Sequence, residues 1–129
     1  MNKVCLLGRL CADPAIKEIN GDNKLADFTL AVDRGLSKEA KEKAKQTADF
    51  IRCKAWGPKA DLIEKYFKKG DQLALSGKIQ TGSYEDSDGK KVYTTDVIIE
   101  GVDFIRNQSA EENSLNKAVY STKGIYHFN

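Results

Sequence analysis

The run Ala48-Asp49-Phe50-Ile51-Arg52-Cys53-Lys54-Ala55-Trp56-Gly57 concentrates aromatic and cationic side chains at alternating positions. In a β-strand, successive side chains point to opposite faces. One face then carries Phe50, Arg52, Lys54 and Trp56, and the other carries Ile51, Cys53 and Ala55. The second set is small and apolar, as a half-buried strand requires. The first brackets a pair of cations with aromatic rings. Rings stack on bases and cations hold phosphates, so this face suits a single-stranded nucleic acid. It equally suits a strand whose rings cover a second core while the cations reach water at its rim. The strand alone does not separate these readings.

The elements around it narrow the choice. At 129 residues the chain is expected to form one domain with a tail, and to bury a single core. A formal net charge of +2 does not by itself announce a nucleic-acid binder, although segregated charge can still build a basic surface. Lys3 to Leu10 reads as a first strand, with Gly8 at a bend or close backbone approach. Asp13-Pro14 breaks it, Ala15 to Ile19 allows a short extended continuation, and Asn20-Gly21-Asp22-Asn23 is a turn. Leu25 to Arg34 is a second strand, its Phe28, Leu30 and Val32 on one face. The lysine-rich stretch 35–47 lacks an apolar stripe and reads as a solvated loop with at most a transient helical turn.

After the strand at 48–56, Gly57-Pro58 opens a helix of roughly three turns that stops near Gly70. Gln72 to Thr81 is the fourth strand, with Leu73, Leu75 and Ile79 inward and Lys78 and Gln80 outward. Val92 to Phe104 is the fifth, with Tyr93, Val97 and Ile99 inward and a bulge near Gly101 that returns Val102 and Phe104 to the core. Asp88-Gly89 marks the tip of a protruding hairpin between them. The expected fold is all-β with one short helix: a five-stranded antiparallel Greek-key OB-fold barrel, the helix lying between strands three and four. In that fold, strands two and three are the usual ligand surface, which favours the binding reading of Phe50, Arg52, Lys54 and Trp56.

Cys5, Cys11 and Cys53 show no Cys-x-x-Cys spacing. Cys5 and Cys53 are expected as buried free thiols, which points to a reducing compartment. The apolar run at the N-terminus is cut short by Gly8-Arg9, so neither a signal peptide nor a membrane helix is expected, and a cytoplasmic, nucleoid-associated protein is. His127 has no ligand partners at metal spacing and no phosphate-binding loop is present, so neither enzyme activity nor a cofactor is expected. Glu85, Asp86 and Asp88 are explained as turn residues.

Residues 1–105 resemble the bacterial single-stranded DNA-binding proteins. The resemblance rests on Met1-Asn2-Lys3-Val4, Gly8-Arg9-Leu10, Asp13-Pro14, Phe28-Thr29-Leu30-Ala31-Val32, Ala48-Asp49-Phe50 and Ala55-Trp56-Gly57. It continues through Tyr66, Lys68-Lys69-Gly70, Gly77-Lys78-Ile79-Gln80-Thr81, Ser83-Tyr84-Glu85-Asp86, Asp88-Gly89-Lys90, Tyr93 and Thr95. It implies sequence-independent binding of single-stranded DNA, with Phe50, Trp56 and Tyr84 stacking on bases. Arg52, Lys54 and Lys78, flanked by Lys3, Arg9 and Arg34, are then the phosphate contacts. Nothing in the residues reads a 2′-hydroxyl, so single-stranded RNA and protein-docking OB modules stand as rival readings. The resemblance also implies a homotetramer whose pairs join through the first strand, where Cys5 and Leu7 need cover. Residues 1–106 are expected as the binding domain and 107–129 as a short tail. That tail has neither a Gly/Gln/Pro-rich linker nor an acidic tip, so recruitment of replication and repair enzymes by such a tip is not expected.

Some positions depart from the pattern. Leu36 stands near an aromatic position, Pro58 follows Trp56-Gly57 where a cation is common, and Gly82 precedes Ser83-Tyr84 where an arginine is common. Stacking at Phe50, Trp56 and Tyr84 is expected to be kept, a fourth ring near Leu36 is not, and electrostatic grip is expected to be reduced. On single strands log affinity falls with log salt by about 0.7 per phosphate neutralised. Titrations of oligo-dT at several salt concentrations should give a shallower slope than a cation-rich relative shows, and an equally steep slope would contradict the reading.

Overall fold

The computed structural model describes residues 1–21 and 23–104; the expectations for the tail at 107–129, including Tyr126, His127 and Phe128, lie outside the described residues. The strands are β1 (Val4–Leu10), β2 (Ala15–Ile19), β3 (Asn23–Asp33), β4 (Ala48–Trp56), β5 (Gln72–Glu85) and β6 (Lys91–Phe104). Helix α1 (Lys38–Lys43) lies between β3 and β4, and α2 (Pro58–Tyr66) between β4 and β5. The strands form one sheet in the order β1-β5-β6-β4-β3-β2, with an additional pairing of β1 to β3 at Arg9 and Leu10.

This corrects the expected five-stranded antiparallel barrel. Among the described residues there are six strands, and the sheet is mixed, because β4 pairs with β6 in parallel at Cys53–Val97 and Lys54–Ile98. The sixth strand is β2, over the stretch expected as a short extended continuation; its burial pattern does not alternate, and its pairing with β3, from Ala15–Asp27 to Ile19–Asn23, makes it a strand of its own. The parallel contact is too short to leave a periodic mark in sequence. A second helix also appears where a solvated loop was expected. Ser37 caps α1 by accepting from the Ala40 amide at 3.1 Å, yet none of its residues is buried, so the stretch is solvated as expected.

The core gathers Leu10, Phe28, Leu30, Cys53, Ile63, Phe67, Leu73, Leu75, Val97, Ile99 and Val102, with the small Ala26, Ala55 and Ala60 filling between. Pro58 and the left-handed Gly57 start α2, which lays Ala60 and Ile63 onto the sheet. Lys24 holds the helix in place from β3, its Nζ lying 3.0 Å from Asp61 and 3.2 Å from Glu64. A register shift opposite Ser76 and Gly77 inserts Glu100 as a bulge, so that Val97, Ile99 and Val102 all face inward, as the expected bulge near Gly101 requires. Three inward assignments are corrected: Cys5, Ile79 and Tyr93 are exposed. Ile79 and Tyr93 belong to the part of the β5–β6 hairpin that extends past the last β1 pairing at Gly77, where among the described residues β5 pairs only with β6. Among the described residues, no helix is long and apolar enough to cross a membrane.

Gly8 sits where β1 leaves β5 for β3. A Cβ there would drive into the Ala31 carbonyl and lie 2.9 Å from Leu30 Cγ, so only glycine permits the approach. Gly8→Ala should destabilise the fold by about 1–3 kcal/mol, read as a lowered thermal midpoint, whereas alanine at the open-space Gly21 should cost less through its positive φ alone.

Candidate nucleic-acid interface

β3 and β4 pair along their lengths, from Leu25–Trp56 through Asp27–Lys54, Thr29–Arg52 and Ala31–Phe50 to Asp33–Ala48. This register buries Cys53 and Ala55 and turns Phe50, Arg52, Lys54 and Trp56 outward. Phe50 is 61% exposed and Trp56 44%, so among the described residues the rings do not cover a second core. Trp56 is anchored by its pairing with Leu25 and by the Gly57 amide, which donates to the Lys24 carbonyl at 2.9 Å. At about 3.3 Å per residue the two rings lie roughly 20 Å apart along the strand, with the cations between them.

Registers across the sheet place the other expected residues. Lys54 pairs with Ile98 and Ile98 with Lys78, so Lys78 shares the outward face two strands away, about 10 Å from Lys54 across the ladders. Tyr84 has the same parity on β5 as Lys78 and is 58% exposed; its partner Val92 places it beyond the Phe50 end of β4. Arg9 reaches the face through the row Arg9–Ala31–Phe50, and its Nη1 donates to the Gly70 carbonyl at 3.0 Å. Phe50, Trp56 and Tyr84 therefore share one face with Arg9, Arg52, Lys54 and Lys78.

Lys3 and Arg34 lie on its flanks and are paired. Lys3 Nζ is 3.4 Å from Glu100 Oε1, on the bulge. Arg34 donates from Nε and Nη2 to Asp49 Oδ1 at 3.0 and 2.8 Å and from Nη1 to the Gln46 carbonyl at 3.3 Å. With the Arg34 amide on the Thr47 carbonyl, it clamps the 35–47 segment against the start of β4.

Sequence reasoning missed the carboxylates under the cations. Asp96, 7% exposed, lies 3.7 Å through Oδ1 from Arg52 Nε and 3.6 Å through Oδ2 from Lys54 Nζ. Asp27 Oδ2 is 3.9 Å from Arg52 Nη2. A lone acidic residue among Thr94, Thr95, Val97 and Ile98 is the one sequence signal that marks Asp96; its nearness to Arg52 depends on the parallel β4–β6 contact. Beneath this layer the Cys53 thiol is pushed up to about 12, first by burial and then by the negative charge of Asp96 and Asp27, and stays protonated. Among the described residues no group of three or more His, Cys, Asp or Glu is placed to hold a metal. Asp86 is a turn residue as expected: its Oδ1 accepts the amides of Asp88 and Lys90, both at 2.9 Å.

The model of the single-strand binding protein family matches residues 1–105. The chain belongs to that family. A single-stranded DNA-binding protein of Clostridium perfringens is 48% identical over 117 residues, covering 88% of this chain and 73% of its own length. Single-stranded DNA-binding protein 3 of Clostridium acetobutylicum is 43% identical over 116 residues, covering 89% and 78%. Single-stranded DNA-binding protein 2 of Listeria monocytogenes is 39% identical over 127 residues, covering 94% and 78%.

The Arg34–Asp49 clamp carries a pH signature. The hydrogen bond from Arg34 is the main cause holding the Asp49 carboxyl below its ordinary value of 3.8; desolvation opposes the shift and charge attraction adds to it. A depressed folded value means that the stabilisation is complete above the ordinary carboxylate range and is lost as pH falls through the folded value. Asp49→Asn should speed amide exchange at Arg34 at neutral pH, and the difference from the native chain should vanish once acid has protonated Asp49.

Proposed function

We propose that this protein binds single-stranded DNA without regard to sequence and shields it during replication, recombination and repair. What carries the reading is one sheet face with three rings between 44% and 61% exposed, two of them bracketing Arg52 and Lys54 on a single strand. Phe50, Trp56 and Tyr84 offer flat apolar surfaces to unstacked bases, which is tolerant of sequence because every base has a π-face. Arg52, Lys54, Lys78 and Arg9 meet the backbone between the rings. Lys3 and Arg34 serve from the flanks, where phosphate competes with Glu100 and Asp49 for them. Residues 1–106 act as the binding unit. The protein works by binding and not by catalysis, and its place is the cytoplasm with the nucleoid.

The same reading includes association through β1. From Val4 to Gly8 that strand pairs with β5 on one edge and has no partner strand on the other among the described residues. Its exposed face carries Cys5 and Leu7, the latter 49% exposed. An unpaired edge beside apolar side chains favours pairing with a second copy, and two such pairs make the tetramer.

Trp56 is the only tryptophan, so its fluorescence reports on the site directly. Oligo-dT should quench it strongly at low salt and an equal length of duplex should not. Phe50→Ala should weaken oligo-dT binding by about 1–3 kcal/mol, the worth of one stacked base. Failure of saturating oligo-dT to quench Trp56 would refute the function. Light scattering should show a tetramer that Leu7→Asp reduces.

A further inference from the structure

We infer that Asp96 and Asp27 are specificity-determining residues, which offset the charge of Arg52 and Lys54 so that productive binding depends on stacking and duplex DNA is disfavoured. The inference rests on the proposed binding face. Phosphate attraction is blind to strandedness, and a double helix presents phosphates at high density while hiding its base faces. A face dominated by free cations would hold duplex well. A face whose cations are offset holds best the nucleic acid that can also stack, and discrimination is a difference between two affinities.

The geometry fits this role better than that of a purely structural ion pair. Arg52 and Lys54 contribute two positive charges, Asp27 and Asp96 two negative ones, so the cluster sums to zero. Its separations run from 3.6 to 3.9 Å, inside attraction range but beyond good hydrogen bonds. Asp96 Oδ1 is buried and accepts no hydrogen bond. A carboxylate kept only to brace the arginine would be expected to accept its N–H groups directly. Asp96 is held under the face by β6 and cannot follow the cations outward, whereas the Arg52 side chain is 56% accessible and can turn toward a phosphate. Each phosphate that recruits Arg52 or Lys54 must draw it from these fixed negative charges, and that cost falls on any nucleic acid. Only a stacked single strand recovers it at Phe50, Trp56 and Tyr84.

The test is Asp96→Asn, with Asp27→Asn as a second variant at a more accessible position in case the first fails to fold. Oligo-dT and duplex of equal length are titrated against the full chain at several salt concentrations, following Trp56 fluorescence and duplex anisotropy. Both variants should tighten duplex binding more than oligo-dT binding, lowering the preference for single strands by about threefold or more at low salt. The duplex salt slope should steepen by about 0.9 for each further phosphate neutralised. An unchanged or increased preference for single strands, with the native chain binding oligo-dT normally, would overturn this inference alone. If the native chain fails to bind oligo-dT, the binding reading falls and this inference falls with it.

Discussion

The register of β4 is the constraint on which the molecule depends. Side chains alternate strictly along a strand, so a slip of one residue against β3 would send Phe50, Arg52, Lys54 and Trp56 into the core. Slippage is blocked from both sides. Cys53 and Ala55 are fully buried opposite Phe28, Ala26 and Val97, and a slip would place Arg52 or Lys54 at those buried positions. Pairing with β3 and β6 leaves β4 no free edge at its middle, so the strand is held from both sides where it presents Arg52 and Lys54. Such a hold suits stacking, because rings that are already placed lose little freedom when a base arrives.

That hold is supported from the ends. At one end, the Gly57 amide on the Lys24 carbonyl and the α2 contacts of Lys24 fix Trp56. At the other, Arg34 ties the lysine-rich segment to Asp49, next to Phe50. Asn2 extends the ladder past the start of β1: its side chain donates to the Ile79 carbonyl at 2.7 Å and accepts the Ile79 amide at 2.8 Å. This is the point at which the β5–β6 hairpin leaves the rest of the sheet to carry Tyr84 outward.

The electrostatics of the face differ from a simple basic patch. Among the cations expected to touch phosphate, Lys3, Arg34, Arg52 and Lys54 each have a carboxylate within 4 Å. Among the described residues Lys78 makes no ion pair, and the Arg9 side chain donates to a neutral carbonyl, that of Gly70. Thin basic character was legible in the substitutions at Pro58 and Gly82, but the neutralisation of those cations that remain was not. Exposed rings beside cations that already have carboxylate partners are what the proposed stacking mode requires.

Alternation in 48–56 sufficed to sort that strand into a buried and a displayed face, because period two is a local property. The resemblance across residues 1–105 named the family on the same local pieces. Other features needed the folded chain. Whether Phe50 and Trp56 cover a second core or face solvent depends on what else lies above the sheet, and only the exposure of both rings answers it. Likewise β2 exists because β3 pairs with it, and the parallel contact of β4 with β6 joins residues more than forty positions apart. Asp96 reads in sequence as one polar residue in an apolar run. That it lies under Arg52 and Lys54 is a consequence of long-range register, which no local pattern records.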